Sequence, residues 1–306
     1  MSKTNVFIVK AFSFLAVLMF ATIVMHGQAA RTFVSGGTNA NDSNACSNAA
    51  PCRTFAAAIA NTSAGGEIDA LDTAEYGPVT ITKAITIDGG GQVASIQADG
   101  VNGIVVSAGA NDKVILRNLR INGSNTGLNG IRFLSGSQLT IDKCEIFGFT
   151  LNGVDISQGS SAQSWVTNTN IGMVGGVGIR ATTTAGVVTL GIDKVRVEWS
   201  NKGIEAAFHS RVTVNDSLVQ NAASIGMQAD GDALIVINGS VIDLNGSGVQ
   251  TSQVAGVDAV AYVANSEIAF NSTGFNELSG RINTFGNNRL IANGSDGVVR
   301  PPIAMK

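Results

Sequence analysis

Six side chains stand at one recurring place in the sequence and form its densest set of groups able to bind a ligand or move a proton. They are Arg132, Asp155, Arg180, Glu205, Gln228 and Gln250, each the second residue after a glycine in a Gly-apolar-polar-apolar unit. Val105 and Asn276 hold the same place in the units before and after. Two carboxylates flanking a glycosidic bond act as acid and base in its cleavage. A cluster of them holds Ca²⁺, and long polar side chains hydrogen-bond sugar hydroxyls. The same alternation of sign also describes a surface ion ladder, in which opposite charges on adjacent strands attract. Each exposed pair in such a ladder contributes less than about 1 kcal/mol. Phosphate-loop, HExxH and GxSxG signatures are absent. His209 reads as a turn residue, and the single Asp88-Gly-Gly-Gly91 run reads as a turn too.

The elements that must position these residues follow from self-similarity. The glycines that open the units are Gly103, Gly130, Gly153, Gly178, Gly203, Gly226, Gly248 and Gly274, which by subtraction lie 22 to 27 residues apart. Each unit also carries a second motif, apolar-x-x-x-x-apolar, running from Leu116 to Ile121, Ile141 to Ile146, Val166 to Ile171, Ile192 to Val197, Val214 to Val219, Ile237 to Ile242 and Val263 to Ile268. Apolar and polar residues alternate within the motifs, the period of a strand with one buried face. A repeat of about 25 residues holding short Val/Ile/Thr-rich strands and no ordinary helix fits one coil of a parallel β-helix. Stacked coils sit about 4.8 Å apart, so each aligned position becomes a ladder. Ile104, Ile131, Val154, Ile179, Ile204, Met227, Val249 and Phe275 are expected to point inward, as are Ile121, Ile146, Ile171, Val197, Val219, Ile242 and Ile268. Cys144 falls on a ladder with Leu119, Thr169, Val195, Ser217, Ser240 and Ser266, which makes it packing material. Asp155 and Glu205 lie two coils, about 9.6 Å, apart, near the upper limit for an inverting pair, and Arg180 occupies the space between them.

Between the two halves of the second motif stand Asn118, Lys143, Asn168, Lys194, Asp216, Gly239 and Asn265, with Asn287 continuing the series. An Asn at a tight inter-strand turn, stacked on the same residue in other coils, resembles the pectin-lyase-like right-handed parallel β-helix superfamily. The resemblance covers residues 67 to 292 and implies an all-β, right-handed solenoid of about eight to nine coils. It implies no single activity, because many chemistries share the scaffold. Polygalacturonase-like hydrolases of this fold carry an Asp-Asp pair entering the strand that bears the six residues. Here Asn129, Asn152, Lys202 and Ile225 stand at those entrances. Pectate-lyase-like enzymes need clustered acids for Ca²⁺ and a basic proton abstractor. Asp155, Glu205 and Asp230 with Arg180 imitate that set without gathering in one coil. The stretch from Ala50-Pro-Cys-Arg-Thr-Phe55 to Lys83 resembles the start of secreted bacterial β-helix proteins of unassigned activity.

The first thirty residues combine Lys3 and Lys10 with an apolar run from Ala11 to Met25 and small residues after it, the pattern of a signal peptide cut after Ala29 or Ala30. The run is shorter than the roughly 20 residues of a spanning helix, and no later stretch is long enough. An extracellular protein is expected, with the periplasm or cell surface as the other destinations. Cleavage leaves 17 basic against 22 acidic residues and moves the formal charge from −3 to −5. Such a chain lacks the basic footprint of nucleic-acid binding. Cys46 and Cys52 sit close together in a Gly/Asn/Ser-rich stretch and are expected to join across a short loop. Two cysteines without a nearby His make no tetrahedral zinc site.

Thr54 and the following Phe55 to Ala60 are expected to form a short helix that plugs the first coil, with Phe55 and Ile59 on one face. The segment from Arg300 onward is expected to be loosely ordered. The organisation is thus residues 1–30 signal peptide, 31–66 disulfide loop and capping helix, 67–292 parallel β-helix and 293–306 tail. The expected function is non-catalytic carbohydrate binding or cell-surface interaction by a monomer, through a polysaccharide or surface glycan and without a cofactor. A polysaccharide lyase acting on an acidic glycan, with Ca²⁺, is the first alternative. A structural envelope or matrix component is the second.

Overall fold

The computed structural model describes residues 28–254 and 256–304. The expected signal peptide therefore lies almost wholly outside the described residues. The chain winds as a right-handed parallel β-solenoid of about nine turns, and the strand register follows the repeat. One face is an 11-stranded parallel sheet that begins at Ala29–Val34 and ends at Arg281–Thr284. The other two faces form one 18-stranded sheet, because long strands such as Asn170–Thr183, Arg196–Ala206 and Leu218–Asp230 pass round the corner between them.

Both expected apolar ladders are in register and point inward. Ile131 pairs with Ile104 and Val154, Ile179 with Val154 and Ile204, and Met227 with Ile204 and Val249. All are fully buried, as are Ile121, Ile146, Val197, Val219, Ile242 and Ile268 on the second ladder. The repeated glycine is demanded by closeness between coils. A Cβ on Gly178 would lie 2.3 Å from Val197 Cγ1 and 2.6 Å from the Gly203 carbonyl oxygen, a contact that only a hydrogen at that position tolerates.

Turns are tight and left-handed at two corners. The first series is Asn118, Lys143, Asn168, Lys194, Asp216, Gly239 and Asn265, all with φ between 45° and 62°. Asn287 continues it by its side chain, which donates to Asn265 Oδ1, but one extra residue in that coil moves the left-handed backbone to Gly286. The second series, which the repeat pattern did not expose, is Gly148, Met173, Trp199, Asn221, Leu244, Phe270 and Ala292. Inside the first corner the hydroxyls of Thr169, Ser217, Ser240 and Ser266 each accept the backbone N–H one coil earlier, from Cys144, Val195, Ser217 and Ser240. Cys144 is buried there, and burial pushes its thiol up to about 12.

Strand pairing runs past both expected limits of the solenoid. At the start, Arg31 to Val34 pair in parallel with Glu67 to Ala70, so part of the 31–66 segment is already sheet. Cys46 and Cys52 form the expected disulfide. Their loop lies along the free edge of Ala29–Val34: Phe33 N donates to Cys46 O, Cys52 N to Phe33 O and Ser35 N to Cys52 O. The helix Phe55–Asn61 is capped by the Thr54 hydroxyl, which accepts from Ala57 N, and it buries Phe55, Ala58 and Ile59. At the other end Ser295–Gly297 pairs with Thr273–Glu277. The described residues from Arg300 to Ala304 are exposed and carry no regular secondary structure, and they touch the solenoid through Arg300 and Ile303. The Arg300 guanidinium donates to both carboxylate oxygens of Glu277, and Ile303 N donates to Thr284 O.

Candidate functional site

The third face carries the six residues. Val105, Arg132, Asp155, Arg180, Glu205, Gln228, Gln250 and Asn276 pair one coil after another, so the expected ladder exists in the expected order. Asp155 lies between two guanidinium groups, with Arg132 Nε 3.3 Å from Oδ2 and Arg180 Nη1 3.5 Å from Oδ1. Arg180 Nε donates to Glu205 Oε2 at 3.0 Å, and Lys202, three residues before Glu205, donates to its other oxygen.

The ladder is not an exposed one. Asp155 and Glu205 are only 5 % and 7 % exposed, covered by the long cationic side chains on either side. The expectation of screened surface pairs, each worth less than about 1 kcal/mol, is corrected accordingly: these carboxylates are desolvated and depend on their partners. Gln228 and Gln250 are buried as well. Gln228 Nε2 donates to Ser252 Oγ at 2.9 Å, and Ser252 Oγ donates to Asp230 Oδ1 at 2.7 Å. Gln250 Oε1 accepts from Asn276 Nδ2 at 2.9 Å. Of the six, Arg132 and Arg180 keep the most surface for a ligand.

The strand entrances hold no acid pair. Asn129 Nδ2 donates to Asn102 Oδ1, and Asn152 Nδ2 to Asn129 Oδ1, so these amides are consumed in a ladder that closes on Val177 N. The residues just before them were missed in the sequence. Val101, Leu128 and Leu151 stack by backbone bonds, Leu128 N to Val101 O and Leu151 N to Leu128 O, and form an exposed aliphatic rail four residues before Val105, Arg132 and Asp155. Their signal was a recurrent apolar residue ahead of each Asn, in a segment where the alternation breaks.

Among the described residues one group of carboxylates is close enough for a cation: Glu67, Asp69 and Asp88. It does not fit one, because guanidinium groups already cross it. Arg31 pairs with Asp69, and Arg117 pairs with both Asp88 and Glu67. Burial pushes Asp88 up, but hydrogen bonds from the Asn118 amide, Gly90 N–H and Arg117 outweigh it and hold the carboxyl below the usual range. His209 sits at a left-handed turn with Nδ1 2.6 Å from Asp232 Oδ2, as a turn residue should.

Coil stacking, the Asn turn ladder and the three-faced cross-section define a pectin-lyase-like parallel β-helix. The chain is similar to the crystal structure of pectate lyase Pel9A, with a TM-score of 0.67 at 15% identity over 88% of this chain and 78% of that one. It is also similar to the A-module of the Azotobacter vinelandii mannuronan C-5 epimerase AlgE6, with a TM-score of 0.48 at 11% identity over 78% of this chain and 89% of that one. At 15% identity the likeness to the pectate lyase is one of fold. No family model matches the sequence, and no curated protein matches it.

Proposed function

We propose that this protein is exported and binds a carbohydrate without cleaving it, as a monomer at or near a cell surface. The observation that carries the reading is the state of the two candidate acids. Asp155 and Glu205 are buried and salt-bridged to Arg180, so neither carboxylate stands open on the face from which a sugar would approach. What the third face leaves open is the outer side of Arg132 and Arg180, with the Val101–Leu128–Leu151 rail at the entrances of the strands that lead up to them. Donors together with an aliphatic strip match the hydroxyls and C–H faces of a sugar ring. The ligand class also accords with the fold relative of highest TM-score reported above, a pectate lyase. On this reading the helix Phe55–Asn61 closes the first coil, and the chain needs no cofactor.

The test is a glycan panel run beside an assay for unsaturated products. Binding without product release is the expected result, and Arg132→Gln should weaken it by roughly tenfold, the scale of one lost charge-assisted hydrogen bond. Product release would move the assignment to a polysaccharide lyase. No binding at all would leave a structural envelope or matrix component.

A further inference from the structure

A second surface, on the neighbouring face, carries side chains that the fold does not require. At the second left-handed corner the chain needs a residue that tolerates positive φ, for which Gly and Asn are the least strained choices. Two coils use them, Gly148 and Asn221. Four others place Met173, Trp199, Leu244 and Phe270 there, and these are 56 %, 62 %, 51 % and 56 % exposed. Each is doubly unfavourable in the isolated chain, strained in the backbone and apolar in water.

Trp199 and Met173 wall a groove of about 280 Å³ whose other sides are Phe147, Glu145, Asn170 and Glu198. Gly172 forms its floor, between Phe147 and Glu198 in the pairing. Through Glu145 and Asn170 this groove runs on into a second one of about 510 Å³, which reaches Arg120, Lys143, Asn168 and Asn118 at the first turn ladder. The trough therefore crosses several coils.

Its chemistry selects one kind of occupant. The charges largely cancel within the wall: Arg120 Nε donates to Glu145 Oε2 at 2.9 Å, and Arg196 Nη2 to Glu198 Oε1 at 2.7 Å. A polyanion or polycation gains little from such pairs. An extended peptide finds strands already hydrogen-bonded on both sides, with no edge to join. A ligand with flat C–H faces and many neutral hydroxyls fits the aromatic wall together with the carboxylate and amide groups.

We propose that the Trp199 trough binds a neutral oligosaccharide, one pyranose ring stacked on the Trp199 indole. This site is separate from the arginine-lined third face and does not depend on it. Trp165 and Trp199 are the only two tryptophans. The Trp165 ring packs over Gly191, so Trp165→Phe leaves Trp199 as a single fluorescent reporter. In that background, hexasaccharides of β-1,4-linked glucose, mannose and xylose are titrated, with trigalacturonate as the acidic comparison. The expected result is a saturable shift of indole emission with at least one neutral hexasaccharide and none with trigalacturonate.

Trp199→Asn, which suits the left-handed backbone and should keep the fold, should lower calorimetric affinity for that hexasaccharide at least tenfold. Gly172→Val, which fills the floor, should do the same while leaving circular dichroism unchanged. Arg132→Gln should leave this binding intact, which separates it from the third-face proposal. No emission shift with any neutral hexasaccharide, a shift with trigalacturonate alone, or unchanged affinity in a folded Trp199→Asn protein overturns the inference.

Discussion

Arg180→Gln reads the desolvation of the charged ladder directly. The substitution removes one of the two cations serving Asp155 and one of the two serving Glu205. Asp155 is left with Arg132 at 3.3 Å, and its Oδ1 has no hydrogen bond even in the intact protein. A hydrogen bond to a charged group contributes about 1.5 to 3 kcal/mol when its partner is desolvated. The Arg180 side chain is 35% exposed, so solvent screening removes part of that, and the glutamine amide restores a little more. A loss of about 2 kcal/mol follows, against less than about 1 kcal/mol for a fully exposed ladder.

For a chain of this size that corresponds to a fall in Tm of about 3 to 4 °C. Urea and thermal unfolding followed by circular dichroism measure it. Arg180→Gln combined with Glu205→Gln removes the carboxylate that has lost its Arg180 hydrogen bond, leaving Lys202 to the glutamine amide, and should recover about half of the loss. A single-variant loss under about 0.5 kcal/mol, or a double variant no more stable than the single, would show that the acids are solvated and that their burial has no energetic weight.

Three further outcomes are expected. Thiol titration of the native protein should find no reactive cysteine, and denaturation should release one thiol, that of Cys144, because Cys46 and Cys52 are joined and burial holds the third thiol protonated; a fast-reacting thiol in the native state would contradict this. Ile179→Asp buries an unpaired carboxylate in the inward ladder and should destabilise the fold by several kcal/mol, seen as loss of cooperative unfolding; wild-type stability would mean the register is off by one. Stability should be full above about pH 5 and fall on acidification, because Asp88, Asp142, Asp232 and Glu277 lie below their unfolded values and lose that advantage as pH drops through the folded ones. Glu67 and Asp243, pushed up by burial, act in the opposite sense but are fewer. Asn118→Ala, which removes a donor to Asp88, should flatten the acid limb of a Tm-against-pH series.

The register of the solenoid was legible because burial writes itself into sequence at period 2. Ile104 to Phe275 align on the repeated glycine, and the structure pairs them in that order. The first turn ladder was legible for a different reason, since Asn and Gly announce a left-handed backbone. The second was not, because Met173, Trp199, Leu244 and Phe270 are residues that such a backbone disfavours, and propensity therefore points away from the true conformation. The Asn245–Asn271–Asn293 amide ladder one residue further on was also hidden, each Asn reading as an ordinary loop residue. The burial of Asp155 and Glu205 could not be read at all. It arises from how neighbouring arginine side chains lie, and that depends on three coils at once.

The loop closed by Cys46 and Cys52 has a consequence for assembly. A parallel solenoid is a stack with no intrinsic length: its terminal strand offers the same backbone groups to a further coil of its own chain as to a strand from another molecule. Here the terminal strand, Ala29–Val34, spends its outward bonds at Phe33 and Ser35 on an irregular loop whose shape the disulfide maintains. The disulfide thereby helps to keep this edge covered among the described residues. Without the disulfide the loop has one constraint fewer, and any excursion of it uncovers backbone groups of Ala29–Val34 that could template pairing with another chain. Light scattering against protein concentration, with and without reductant, would show end-to-end growth only in the reduced sample.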